Sequence, residues 1–285
     1  MTKTFIFLIS ILSPAITTAQ QSDITFIVAG KTSNHLQQLD GSIQTLNFHF
    51  FAEIFLQPDG IVSPARIRTA MRTRQVDFSD SDYALEMHGG RYKTEEELEE
   101  NYPDGDYVFH YATPSIGSVS QTVVMNNTRS SGSGLPAAPK IYLSQAGQAV
   151  PPDQVDPDLD LHVSWSDFSE GRKDPLGIVD DLLFVIMANC HGERVAHSGR
   201  PFENIPYLTY ADDSYVIAKG ILNAESAYQL SVEHAILDTS MEHGVPAIGT
   251  FATTTFLELK TTGSAIGNDA CPTILENFDS GQTIL

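Results

Sequence analysis

Leu159-Asp160-Leu161-His162-Val163-Ser164-Trp165 places a large apolar side chain at every second position, and Tyr228-Gln229-Leu230-Ser231-Val232-Glu233-His234 repeats the rhythm. Successive side chains of a strand point to opposite faces. Leu159, Leu161, Val163 and Trp165 therefore share the core face of one strand, and Tyr228, Leu230, Val232 and His234 share the core face of another. His234 is expected to point inward at the end of its strand, where a hydrogen-bonded core histidine is commoner than a ligand. Outward from these two strands, residues 182–188 form a third apolar run and residues 251–259 read as the last strand of the region.

Leu222 precedes Tyr228 by six residues. A strand ending in Trp, followed later by a Leu and a Tyr six apart that lead into another core strand, resembles the fibronectin type III domain. The resemblance covers about residues 139–263. It implies a β-sandwich with Trp165 on the second strand and Tyr228 at the corner leading into the sixth. These are packing motifs, so they imply a fold and not an activity. Residues 168–177 depart from the family as a long insertion, and residues 234–249 are longer than a tight hairpin needs; both are places where function could be added.

Upstream, residues 126–139 are rich in Asn, Ser, Gly and Pro, the composition of a linker. Before it, residues 24–28, 46–56, 61–70, 83–87, 107–112 and 119–125 are short runs of Phe, Ile, Val, Tyr and Thr bounded by turn formers. The exception lies at residues 94–101. Thr94 followed by Glu97 forms a capping box, with Glu95 and Glu96 favouring the positive end of a short helix that stops near Pro103. The expected fold is all-β, with two antiparallel β-sandwich domains (residues 20–125 and 139–263) joined by a Gly/Ser/Pro linker at 126–138. One short helix belongs to the first domain, and a tail follows at 264–285.

Residues 1–19 carry one Lys, an apolar run from Phe5 to Leu12, and Thr17 and Ala19 at the −3 and −1 positions, the pattern of a secretory signal peptide. The expected location is secreted or periplasmic, with no membrane span, since a spanning helix needs about 20 apolar residues. Acids outnumber bases 36 to 16, giving a net charge of −20. That excludes nucleic acid as a partner, because phosphate binding needs clustered positive charge. In an oxidising compartment the two cysteines, Cys190 and Cys271, are expected to form a disulfide that ties the tail to the second domain.

If the sandwich topology holds, the loop after the Trp strand and the loop after the Tyr228 strand meet at one pole. The first offers Asp167, Glu170, Asp174, Asp180 and Asp181; the second offers His234, Asp238, Glu242 and His243. Asp180, Asp181, His234, Asp238, Glu242 and His243 are the candidate ligand-binding set, with carboxylates suited to Ca²⁺ and histidines to Zn²⁺. A solvated acidic rim is the alternative reading, and no cofactor is otherwise expected. Cys190, His191 and His197 form a second cluster, explained more simply by one disulfide. Arg66, Arg68, Arg72 and Arg74 make a basic stripe, read either as a patch for an anionic glycan or acidic partner or as neutralised by Asp77, Asp80, Asp82 and the nearby glutamates. Tyr207, Tyr210 and Tyr215 could stack on sugar rings or pack in the core. No G-x-S-x-G, H-E-x-x-H or phosphate loop is present. The expected function is an exported binding or adhesion-type protein for an extracellular glycan or protein; the alternative is a metal-dependent or acid/base hydrolase or lyase.

Overall fold

The computed structural model describes residues 23–63, 65–71, 74–81, 84–126, 134–264 and 271–275. The expected signal peptide at 1–19, Arg72, Asp82 and much of the expected linker and tail lie outside these residues. The first half contributes strands β1 (Ile24–Gln37), β2 (Ile43–Leu56), β3 (Arg66–Arg68), β4 (Gln75–Asp77), β5 (Ser79–Ser81) and β6 (Ala84–Tyr92). Helix α1 (Glu95–Asn101) and strands β7 (Gly105–Thr113) and β8 (Gly117–Met125) complete it. The second half runs through β9 (Ile141–Gln145), β10 (Gln148–Ala149), β11 (Leu161–Trp165), β12 (Leu182–Asn189) and β13 (Arg194–His197). It ends with β14 (Leu208–Thr209), β15 (Ser214–Ile217), β16 (Ala227–Glu242) and β17 (Val245–Lys260). No helix among the described residues is long and apolar enough to cross a membrane.

The protein is mostly β, and among the described residues its largest sheet takes strands from both sides of the linker. Among the described residues nine strands form one mixed sheet, in the order β13-β12-β16-β17-β1-β2-β6-β5 with β14 beside β12. Two four-stranded sheets, β4-β3-β7-β8 and β10-β9-β11-β15, complete the fold. Two sandwiches joined by a linker are expected from the sequence. In the structure the first and last described strands of the chain pair with each other: β1 runs parallel to β17, from Ile27 opposite Ala247 to Gln37 opposite Leu257. An unpaired edge on β17 would leave a row of backbone donors and acceptors open, and β1 closes it. β17 is consequently buried along almost its whole length, as a strand with neighbours on both edges and layers on both faces must be.

The linker region is also tied down where it is described. Pro136 O accepts from Thr253 Oγ1 at 2.7 Å, and Gln37 exchanges two hydrogen bonds with the backbone of Ile141. Residues 234–249 are not a long connection. They belong to the β16–β17 hairpin, whose two-residue turn, His243-Gly244, has both φ angles positive (52° and 76°). Positive φ at both turn positions matches the right-handed twist of the two strands, so the turn can be this short.

The inner core joins both halves. Leu161, Val163 and Trp165 meet Leu230, Val232 and Leu257, while Ile67, Phe109 and Val123 meet Ile27, Ala52 and Ile54 in the same cluster. β8 approaches β17 closely because residue 249 is Gly; a Cβ there would lie 2.7 Å from Val124 O. The Tyr228 hydroxyl accepts from Asn223 N at 2.6 Å, closing the corner before β16. Helix α1 begins at Thr94, whose hydroxyl accepts from Glu97 N, and Glu99 and Asp104 near its end both pair with Lys31, which is only 1% exposed. The expected run at 61–70 shrinks to β3, and the side chain of Leu159 stands exposed before β11 begins.

Candidate functional site

The loop between β11 and β12 brings Asp174, Asp180 and Asp181 together against β16, and each carboxylate is engaged by backbone. Asp181, 2% exposed, accepts from Arg172 N and from Leu237 N, both at 2.8 Å. β12 pairs with β16 only as far as Ala235, so the Asp181 side chain satisfies the backbone donor two residues past the end of that ladder. Asp174 accepts from Ile178 N, Leu176 N, Val179 N and Thr239 Oγ1. These bonds hold its carboxyl below the usual range, although burial pushes the other way. Asp180 accepts from Asp174 N. These carboxylates fasten the loop, each accepting at least one backbone hydrogen bond.

Of the remaining members, Asp238 stands between Leu237 and Thr239, the residues that bond Asp181 and Asp174, and His234 lies opposite Leu183, whereas Glu242 and His243 lie away at the hairpin tip. His234 sits in the middle of β16, eight residues from Glu242, a separation of about 26 Å at ~3.3 Å per residue. Its side chain is 1% exposed and stacks on Phe168 with ring centroids 4.5 Å apart. Burial lowers its pKa to about 4. Asp238 follows four residues later on the same strand, and Glu242 and His243 are exposed at the hairpin tip. The inward direction of His234 agrees with its parity; its place within the strand does not, because β16 continues far past the core.

Cys190 and Cys271 form a disulfide. His191 lies beside them, but a disulfide sulfur is not a thiolate ligand, so this cluster does not offer the donors of a metal site. The bridge clamps the segment after Cys271: Ala227 N donates to Cys271 O, and Leu275 N to Cys190 O. Asn189 shapes the β12–β13 turn by accepting from His191 N and Glu193 N. Tyr210 and Tyr215 pack on the core, and the Tyr215 hydroxyl donates to His197 O.

A different set of polar groups converges on the outer face of the sheet β4-β3-β7-β8. Ile67 and Phe109 turn into the core, so Arg66, Arg68 and His110 turn out. The register aligns Asp77, Arg66, His110 and Ser120 in one row across four strands. An open groove of about 440 Å³ is lined by Ser63, Arg66, Gln75, His110, Ser118 and Ser120 among others. Its volume falls within the range of about 300–1,000 Å³ usual for small-ligand clefts. His110 Nδ1 and Ser120 Oγ are 2.8 Å apart. Burial, with Arg68 and Arg66 nearby, lowers the histidine's pKa. Among the described residues no carboxylate lies within 4.0 Å of either guanidinium. Glu99 is engaged by Lys31 and Glu97 by Lys93 N, so these glutamates of α1 are held elsewhere.

The basic stripe is therefore split by the fold. Arg66 lines the groove and Arg68 shares its face of the sheet, whereas Arg74 lies over the Tyr102 ring at 5.0 Å. The even parity of Arg66 and Arg68 was visible in the sequence; their alignment with His110 and Ser120 needed the register of β3 on β7 and of β7 on β8. A second hollow, of about 590 Å³, lies by Leu39, Glu258, Lys260 and Pro272. Asp153, Glu258 and Lys260 are its charged lining residues. Ser33 and His35 also touch, at 3.1 Å, but Ser33 is buried and hydrogen-bonded to Thr253. No protein-family model matches this chain, and no curated protein matches its sequence.

Proposed function

We propose that the protein is exported and acts as a binding or adhesion-type protein for an extracellular glycan, with the groove on the first half's outer sheet as its site. The single observation behind this reading is that the groove's side chains stand on a regular ladder. Their backbone groups are already paired, which leaves Arg66, Gln75, Ser63 and Ser118 to face a ligand. The disulfide supports an oxidising destination, and the acidity of the chain opposes nucleic acid.

The second half is read as a fibronectin type III-like sandwich. Apart from the two-residue β10 and β14, its strands run β9-β11-β15 in one layer and β13-β12-β16-β17 in the facing one. Trp165 then ends the second of seven strands, and Tyr228 opens the sixth with its hydroxyl bonded back to Asn223. That arrangement supports the resemblance.

The contact between Ser120 and His110 favours a second reading, a hydrolase with Ser120 as nucleophile and His110 as base. Incubating the mature chain with a panel of soluble polysaccharides separates the two. Retardation in affinity electrophoresis without new reducing ends or released acyl groups is the expected outcome. Cleavage that disappears in Ser120→Ala would replace binding with hydrolysis.

A further inference from the structure

We infer that the groove recognises a saccharide carrying a single carboxylate, held by Arg66 with Arg68 behind it, and that it rejects densely charged polyanions. This inference rests on the binding reading above and names its ligand class. Arg66 lies at the groove, Arg68 two residues along on the same face, and no acid within ion-pair reach of either among the described residues. In a chain with 36 acids and 16 bases, two guanidinium groups on one sheet face, with Asp77 the one acid opposite Arg66 in its row, mark a place where an anion is favoured. Guanidinium offers a planar fork that matches a carboxylate with two parallel hydrogen bonds. Ser63, Ser118 and Gln75 around it supply neutral donors and acceptors of the kind that sugar hydroxyls require.

The same charge balance sets the limit on the ligand. With a net charge of −20, the surface beyond the groove repels a polymer that carries an anion on every residue. At physiological salt the screening length is about 8 Å, so one carboxylate seated at Arg66 is attracted locally while a long polyanion also meets the acidic surroundings. Asp77, opposite Arg66 in the row, sharpens this, since it occupies the side where a second anionic group would sit.

The test is titration calorimetry of the mature protein with three probes: a xylo-oligosaccharide bearing one glucuronic acid, the same oligosaccharide without it, and heparin. The expected result is binding of the uronate probe at least about 10-fold tighter than either of the others. Arg66→Gln should abolish that preference, and Lys219→Gln, an exposed cation outside the groove, should leave it intact. Equal affinity for acidic and neutral probes, unchanged in Arg66→Gln, would overturn the carboxylate inference while leaving glycan binding in place. Tightest binding to heparin would overturn the restriction to a sparse charge. Absence of binding to all three probes and to the polysaccharide panel would remove both the inference and the reading beneath it.

Discussion

The acidic loop after β11 and the groove on β3, β7 and β8 are both clusters of polar side chains, yet the backbone beneath each uses them differently. In the loop the chain is irregular, so its N–H groups lack a ladder and Asp174, Asp180 and Asp181 turn inward to accept them. In the groove the strands pair with one another, and the side chains have no backbone to satisfy. The difference teaches that a cluster's composition says less than the backbone beneath it. Irregular backbone consumes polar side chains, and a regular sheet releases them to solvent or ligand.

If that contrast is right, groups that hold the chain should alter stability and spare binding, and groove residues should do the reverse. The largest effect belongs to the clamp. Cys190→Ser with Cys271→Ser opens a link across 81 residues and should cost roughly 4 kcal/mol in denaturant unfolding. Glycan binding at 25 °C should persist in whatever fraction remains folded, and its loss from the folded fraction would break the separation. Asp181→Ala strands two backbone donors and should cost about 3 kcal/mol by the same measurement, with no change in ligand affinity. A cost below ~1 kcal/mol would return the loop to the status of a solvated rim.

A third effect depends on pH. Glu233 is buried on the outer face of the large sheet and accepts from Thr254 Oγ1. Burial pushes its carboxyl up to about 7 from an ordinary 4.5, against the smaller pull of that hydroxyl. The folded chain therefore keeps a proton that the unfolded chain releases, so stability is greatest below about pH 4.5 for this group and falls as pH rises to about 7. Unfolding curves across that window should show a decline of roughly 3 kcal/mol attributable to Glu233, absent in Glu233→Gln. Buried His49 and His234 and half-buried His197, whose pKa values are lowered by desolvation to about 3, 4 and 4, act in the opposite sense and cost stability as pH falls below about 6.5. The smallest stability effect is expected at Arg66→Gln, under about 0.5 kcal/mol because the side chain is exposed and unpaired among the described residues. Ligand affinity is where that substitution should register.

Much of the site was hidden for the reason that the contrast exposes. Asp181 and Arg66 both appear in the sequence as charged residues in charged neighbourhoods. Which one meets a backbone N–H depends on where β12 stops pairing with β16, and no local pattern records that point. His110 and Ser120 were within reach of sequence reasoning, because residues 107–112 and 119–125 read as consecutive strand-like runs. The register that sets them opposite each other belongs to the three-residue turn, 114–116, between β7 and β8.

Short-range physics was written in the chain itself. Period-two alternation around Trp165 and Tyr228, the Thr94–Glu97 cap and the pairing of the only two cysteines follow from steric, capping and redox rules that act on neighbours or on a forced choice. The tertiary structure decided what those rules leave open: that β1 closes the edge of β17, that one sheet runs through both halves, and that arginine, histidine and serine from three strands share a row. The pairing of β1 with β17 joins residues more than two hundred positions apart, as in Ile27 and Ala247, and its register is set by burying both faces of a sheet at once, a condition that no single stretch of sequence carries.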